Sequence, residues 1–237
     1  KMFSSYSGYN KNIDTSIATE FSTIGFRLGH SMLSSKIQVG SNPEDTLELK
    51  ELFFKPEYLK KNGIDDLLLG ATKTLMKKID NQIIDDLRNF LFGSPTESNL
   101  LDLAALNIQR GRDHGIPGYN AVREGYGLLK KNTFSEITSN TELRDKLEKL
   151  YMSPDYIDPW IGALCEDHVD DSSMGELIST ILIEQFRRVR DGDRFWYEND
   201  KSLGTFELNI INNSKLSDVI IRNTNISSLQ KNVFKII

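Results

Sequence analysis

The chain has 237 residues, a length that fits one large domain or two small ones. Its hydrophobic fraction of 38% and charged fraction of 27% suit a soluble globular protein. The formal net charge of -5 argues against a nucleic-acid partner, which calls for a basic stripe. No apolar run approaches membrane-spanning length. Cys165 is the only cysteine, so an intrachain disulfide and a thiolate metal cluster are both excluded. The sequence opens on Lys1 in a polar, aromatic stretch with no secretory leader, which reads as a fragment.

Taken in chain order, the pattern is helical nearly throughout. A first helix is expected from Asp14, as N-cap, to about Ser34, with Ile17, Phe21, Ile24 and Leu28 as its apolar stripe. "SKIQVG" then reads as a short extended stretch. Asp65 is expected to cap a helix through Met76. "DNQIIDDLRNFLF" reads as another, with Ile83, Ile84, Leu87 and Leu91 on one side. "LAALNIQRGRDHG" is a helix stopped by Gly115. "TELRDKLEKLY" is a short charged helix with Leu143, Leu147 and Leu150 inward. In "SMGELISTILIEQFRRVRDGD", Ser173 and Glu176 have capping-box spacing, Ile178, Leu182, Phe186 and Val189 form the stripe, and Asp191-Gly192 ends it. Phe195-Trp196-Tyr197 reads as core packing behind that helix. A late helix falls at "SKLSDVIIRN". The class is therefore mainly α, in one unit spanning residues 1–237, with no repeats and no Pro/Gly/Ser-rich linker.

Two short stretches carry chemistry. Arg27 and His30 are three positions apart and share a helix face, about 4.5 Å apart along an α-helical axis. Such a pair can bind a metal centre with an anionic group beside it; the alternative is a structural histidine next to a surface arginine. Asn107 and Arg110 repeat the spacing. An asparagine carbonyl can accept the ring N–H of a metal-bound histidine and fix its tautomer, and an arginine can pair with a carboxylate. The alternative here is a buried structural asparagine with arginines paired to Asp113 or other acids. His114 and Arg112 are given structural roles in the turn that follows. His168, in "EDHVDD", is expected to be solvated, and Cys165 to be a small buried hydrophobe. Asn212-Asn213-Ser214 and Asn225-Ile226-Ser227 match the glycosylation acceptor pattern.

The stretch "ALNIQRGRDHGIPGYN" closely resembles the signature of the animal haem peroxidase superfamily, and "FSTIGFRLGHSML" resembles its proximal-histidine helix. The likeness continues, in the same order, through "FFKPEYL", "GIDDLLLG", "DNQIIDDLRNFLF", "DPWIGAL", "EQFRRVRDGDRFWYEN" and "SDVIIRNTNISSLQKNVF". It implies a partial animal haem peroxidase fold, the proximal half of the helical domain. By motif position it implies that His30 is the iron ligand of haem b and that Asn107 accepts the hydrogen bond from its Nδ1–H. Arg27 and Arg110 would pair with the propionates, and Leu101, Leu103 and Leu106 would line the proximal pocket. Arg123, beyond the signature turn, would lie outside it. The implied activity is oxidation of halide or small organic donors by hydrogen peroxide, in a secreted protein. The family's distal histidine, arginine and glutamine, its haem-esterifying acids and its calcium loop lie upstream of the proximal helix. With only 29 residues before His30, none of them is expected here. The upstream half of the domain is the partner that would supply them. Two other readings stay open. One is a non-catalytic adhesion or binding protein of peroxinectin type. The other is a haem fatty-acid dioxygenase, which needs a radical-forming tyrosine just before the proximal histidine; "FSTIGFRLG" contains none.

Overall fold

The computed structural model describes residues 4–91, 101–170 and 172–234. Its regular elements, in chain order, are α1 (Thr19–Thr23), a 3-10 helix (Gly25–Ser31), β1 (Lys36–Gln38), β2 (Thr46–Glu48), α2 (Glu57–Asn62), α3 (Asp65–Ala71), a π-helical turn (Asp86–Phe90), α4 (Leu103–Asp113), α5 (Tyr119–Gly125), α6 (Thr141–Tyr151), α7 (Pro159–Cys165), α8 (Glu176–Asp191), α9 (Thr205–Asn213) and α10 (Leu216–Asn223). Single-turn 3-10 segments fill several of the connections. The mainly α expectation holds. The chain packs as two compact units: Lys1–Met32, Lys78–Ile83 and Leu101–Asn199 form one, and Leu33–Lys77, Ile84–Leu100 and Asp200–Ile237 the other.

In the first unit, α5, α6, α7 and α8 pack around Tyr119, Leu147, Ile157, Trp160, Leu177, Ile178 and Ile181, with Phe21 and Ile24 of the α1 region joining the same core. The predicted long first helix does not form. Asp14 accepts from the Ser16 backbone N–H and hydroxyl at 2.8 Å each, a local turn that satisfies the side chain without starting a helix. Residues 16–18 stay outside the helix because Gln185 of α8 serves their backbone: its Oε1 accepts from Ala18 N at 2.8 Å and its Nε2 donates to Ser16 O at 3.1 Å. Ile17, placed on the apolar stripe by periodicity, is 57% exposed. The α-helix then ends at Ile24 and tightens into the 3-10 segment. Gly25 passes so close to α8 that a Cβ there would sit 2.7 Å from Ile181 Cγ2.

Other predicted boundaries shift for identifiable reasons. α4 matches "LAALNIQRGRD": Asp102 caps it by accepting from Ala104 N and Ala105 N at 2.8 and 3.1 Å, and Gly115 takes a left-handed φ of 67° just past its end. α6 matches "TELRDKLEKLY", but Leu150 is 73% exposed, because Leu143, Leu147 and Tyr151 form the inward face. α8 does not use a Ser173–Glu176 capping box. Its N-cap is Gly175, and its Leu177 N–H donates to Glu166 Oε2 at 2.8 Å, so a carboxylate distant in sequence does the capping. The buried stripe of α8 is Leu177, Ile178, Ile181 and Gln185, rotated from the expected one, and Phe186 is 41% exposed. Phe195 is likewise 75% exposed, with Arg194 over its ring, rather than packed in a core.

In the second unit, "SKIQVG" supplies β1, paired antiparallel with β2 in the register Ile37↔Leu47. α3 lies against β1 and ends at Ala71, five residues short of Met76. Asp65 is its first helical residue, not its cap; the Asp65 carboxylate accepts instead from Asn225 N and Nδ2 at 2.9 Å each. Of "DNQIIDDLRNFLF", only Asp86–Phe90 is helical among the described residues, and its last residue lies outside them.

Candidate functional site

The 3-10 segment changes the geometry of the Arg27–His30 pair. With three residues per turn, positions 27 and 30 eclipse one another, about 6 Å apart along the axis at a rise of roughly 2.0 Å. They share a face more strictly than the α-helical reading required. On α4, Leu103 and Leu106 each stand four residues before Asn107 and Arg110, so these four follow one face of the helix. Ala104 and Ile108 pack against the core, Leu103 and Leu106 remain half-buried, and Leu101, ahead of the helix, is 47% exposed.

Across 77 positions, His30 and Asn107 meet: Asn107 Nδ2 lies 2.7 Å from His30 Nδ1. Asn107 is 1% exposed and His30 half-buried. The other end of the same amide, Oδ1, accepts from Arg27 Nη1. Arg27 also donates from Nε to Ser22 O at 2.9 Å. A guanidinium has only donors, so the oxygen of Asn107 must face Arg27 and its amide N–H must face the imidazole. The pairing of His30 with Asn107 therefore takes the reverse of the polarity expected from sequence: the amide donates to Nδ1 instead of accepting from Nδ1–H, because Arg27 occupies the carbonyl.

The charges around this group are unbalanced. Burial, then the neighbouring Arg27, lower the pKa of His30 and favour a neutral ring. Burial, then Arg110, lower that of Arg27, so the two guanidiniums are near enough to repel. Among the described residues neither is ion-paired to a carboxylate. The arrangement thus presents one neutral imidazole beside two cations that lack an anion. An uncharged imidazole is a metal ligand, and paired guanidiniums bind carboxylates.

The remaining candidates separate from this cluster. His114 Nδ1–H donates to Arg110 O at 2.9 Å and so serves the end of α4, whereas Arg112 grips Asp158, at the N-cap of α7, with two bonds of 2.8 and 2.7 Å and so ties the two helices together, a structural role but not one in the turn. His168 is not simply solvated. Its Nε2–H donates to Ile79 O at 2.7 Å, and the ring is half-buried. Cys165 is buried, as expected. Arg123, beyond the signature turn, is bonded apart from this cluster and is buried. It is 1% exposed and holds Glu166 and Glu176 at 2.5 Å each. Tyr119 OH donates to the same Glu166 oxygen at 2.6 Å. Tyr119 and Arg123 stand four apart on α5, a spacing that marks a shared face but not, from sequence, a buried one. A cleft of about 540 Å³ opens beside Glu20, Tyr126 and Glu184 and contains none of the predicted site residues.

The chain belongs to the animal haem peroxidase family, whose family model matches residues 1–234. Among curated relatives it is similar to Peroxinectin A of Dictyostelium discoideum, 40% identical over 98% of this chain and 44% of the relative. It is also similar to Peroxidasin of Drosophila melanogaster, 36% identical over 99% of this chain and 16% of the relative. The chain thus spans less than half the length of these relatives. In structure it matches Peroxidase A from Dictyostelium discoideum with a TM-score of 0.89 at 39% identity, over 98% of this chain and 45% of that one. A fatty acid alpha-dioxygenase from Oryza sativa shares the fold, with a TM-score of 0.80 at 21% identity, over 97% of this chain and 42% of that one. The fold is therefore a partial animal haem peroxidase fold, as the signature implied.

Proposed function

We propose that this chain forms the proximal side of a haem peroxidase site that uses hydrogen peroxide to oxidise a halide or a small organic donor. The observation that carries the reading is the His30–Asn107 pair set beside two arginines with no carboxylate partner among the described residues. His30 would hold the iron of haem b through Nε2, Asn107 would orient the ring, and Arg27 and Arg110 would bind the two carboxylates. Leu103 and Leu106 would supply apolar contact on the α4 side, and Leu101 would cover the approach. Bound haem would supply the redox chemistry. What the chain's own residues contribute is a ligand kept neutral, a fixed ring orientation and charge neutralisation at the carboxylate edge.

A peroxide-activating base is proposed to come from the rest of the domain, along with any calcium site. Within this chain His114 and His168 are both held on backbone carbonyls. By likeness to its relatives the protein would act outside the cell. No helix among the described residues is long and apolar enough to cross a membrane.

The test is a haem titration followed by absorbance. The wild-type chain should bind haem at one saturable site, and His30→Ala should abolish the specific part of the spectrum. Arg27→Glu and Arg110→Glu should each weaken retention by tenfold or more, since a carboxylate pairing with a guanidinium is worth about 1.5–3 kcal/mol. Arg144→Glu, on a surface helix, should change nothing. Retention unaffected by His30→Ala would refute the ligand role. Adding the remaining part of the domain should raise peroxidase turnover by roughly 10²–10⁴-fold, the usual worth of general acid–base catalysis.

A further inference from the structure

The Arg27–Asn107–His30 chain has a consequence for the state of the imidazole. While Arg27 holds Asn107 Oδ1, the amide offers N–H to His30. An Nδ1 that accepts a hydrogen bond carries the lone pair, so in a neutral ring the hydrogen sits on Nε2. A protonated Nε2 has no lone pair for a metal.

We propose that Arg27 is a positioning residue that holds His30 in this non-ligating tautomer until a carboxylate draws the guanidinium away from Asn107. The Asn107 amide then turns over, its carbonyl accepts from Nδ1–H, and the Nε2 lone pair becomes available. The change moves one proton: Nε2 releases it to water and Nδ1 takes one up, so the net charge of the ring is unchanged and no oxidant or reductant is needed.

Three observations support the clasp as a movable one. Among the described residues Arg27 is anchored only to neutral oxygens, Ser22 O and Asn107 Oδ1, and a carboxylate forms a charge-assisted bond roughly twice as strong. Arg110 repels it, which favours any rearrangement that adds an anion between them. Asn107 is anchored by α4 with its amide bonded only at its two ends, so a rotation about its side chain suffices and no backbone need move. Recognition of the carboxylates would thus precede ligation of the metal, and the site would discriminate against planar ligands that lack them.

The inference rests on the reading of His30 as a ligand, but the clasp can be tested without any metal. The 237-residue chain is labelled with 15N-histidine, and long-range proton–nitrogen correlation spectra are taken above the ordinary histidine pKa range. The chain has only three histidines. His114, with its hydrogen on Nδ1, and His168, with its hydrogen on Nε2, serve as references and as monitors of folding. Unliganded wild type should show His30 protonated on Nε2. Arg27→Met should shift the ratio toward Nδ1–H by about tenfold or more, as expected for loss of a hydrogen bond to a charged donor. Should Arg27→Met disturb the two reference signals, Arg27→Gln replaces it, with a smaller shift in the same direction expected. Metal-free protoporphyrin with free carboxylates should shift wild type in the same sense, and its dimethyl ester should not. Nδ1–H in unliganded wild type, an unchanged ratio in the folded Arg27 variants, or equal action of acid and ester would overturn the proposal. If neither porphyrin binds but the Arg27 variants switch the tautomer, the clasp stands and the haem reading falls. If both bind and the variants do nothing, the reverse holds.

Discussion

Arg123→Met should be the most damaging single change outside the proposed site. The wild-type guanidinium donates to Glu166 and Glu176 at 2.5 Å and to Leu129 O at 2.8 Å. The Glu166 side chain is 3% exposed and that of Glu176 47% exposed. Truncation lets Glu176 return to water at little cost. Glu166 cannot: among the described residues its buried carboxylate is left with only Tyr119 OH and Leu177 N–H as donors. An uncompensated buried charge of this kind costs about 3–5 kcal/mol. For a chain of this size, with roughly 2–4 °C of melting temperature per kcal/mol, that means a fall of about 6–20 °C. Urea unfolding followed by tryptophan fluorescence reports it, because Trp160 is 2% exposed in the same core. Adding Glu166→Gln removes the orphaned charge, so the double variant should recover part of the loss. A single-variant loss below about 1 kcal/mol, or a double variant worse than the sum of the two singles, would refute the argument. The same burial makes Arg123→Glu unsuitable as a surface control for charge reversal at Arg27.

Gly118→Ala should destabilise by about 1–3 kcal/mol in the same assay, because its Cβ would lie 2.0 Å from Asp155 O, a backbone atom that cannot swing aside. Arg112→Ala should cost about 1 kcal/mol or less, since its side chain is 60% exposed and Tyr151 OH still donates to Asp158 at 3.0 Å. Burial pushes the Cys165 thiol up to about 12, so thiol reagents at mildly alkaline pH should label it only after denaturation. Burial, then Glu20 and Glu184, push the Tyr126 phenol up to about 12, so the fold binds its proton more tightly than the unfolded chain. Stability from this group is complete below the ordinary tyrosine value of about 10 and is lost as pH rises toward 12, and Tyr126→Phe should reduce the slope in that window.

The sequence made the site more legible than the fold around it. His30, Asn107, Arg27 and Arg110 stood out through the likeness of their two stretches to the family's motifs, whereas their spacing alone left a purely structural role open at each. The polarity of the Asn107 amide could not be read, since it depends on which of two neighbours takes the carbonyl. Helices with their own caps and stops, such as α4 with Asp102 and Gly115, are legible from local sequence. Expected and observed elements differ where a distant residue replaces a local signal. Glu166 caps α8 from outside that helix, Gln185 keeps residues 16–18 out of a helix against an apolar periodicity, and Ile181 leaves room at position 25 for glycine alone. The burial of Arg123 is hidden from the sequence for the same reason: Glu166 and Glu176, which enclose its guanidinium, come from other elements.

Gln185 recognises residues 16 and 18 through main-chain atoms alone, while the side chains of Ser16 and Ile17 face solvent. Its grip is therefore indifferent to the letters of that segment and strict about their count. Substitutions at 16 and 17 should drift freely between related proteins, whereas one inserted or deleted residue between position 18 and Gly25 would put the wrong residue against Ile181 and rotate position 30 away from α4. Gln185 itself has little room to vary, because its carboxamide accepts from one peptide N–H through Oε1 and donates to the carbonyl two residues earlier through Nε2, which neither a carboxylate nor an apolar side chain can do. The segment behaves as a ruler whose zero is set by α8.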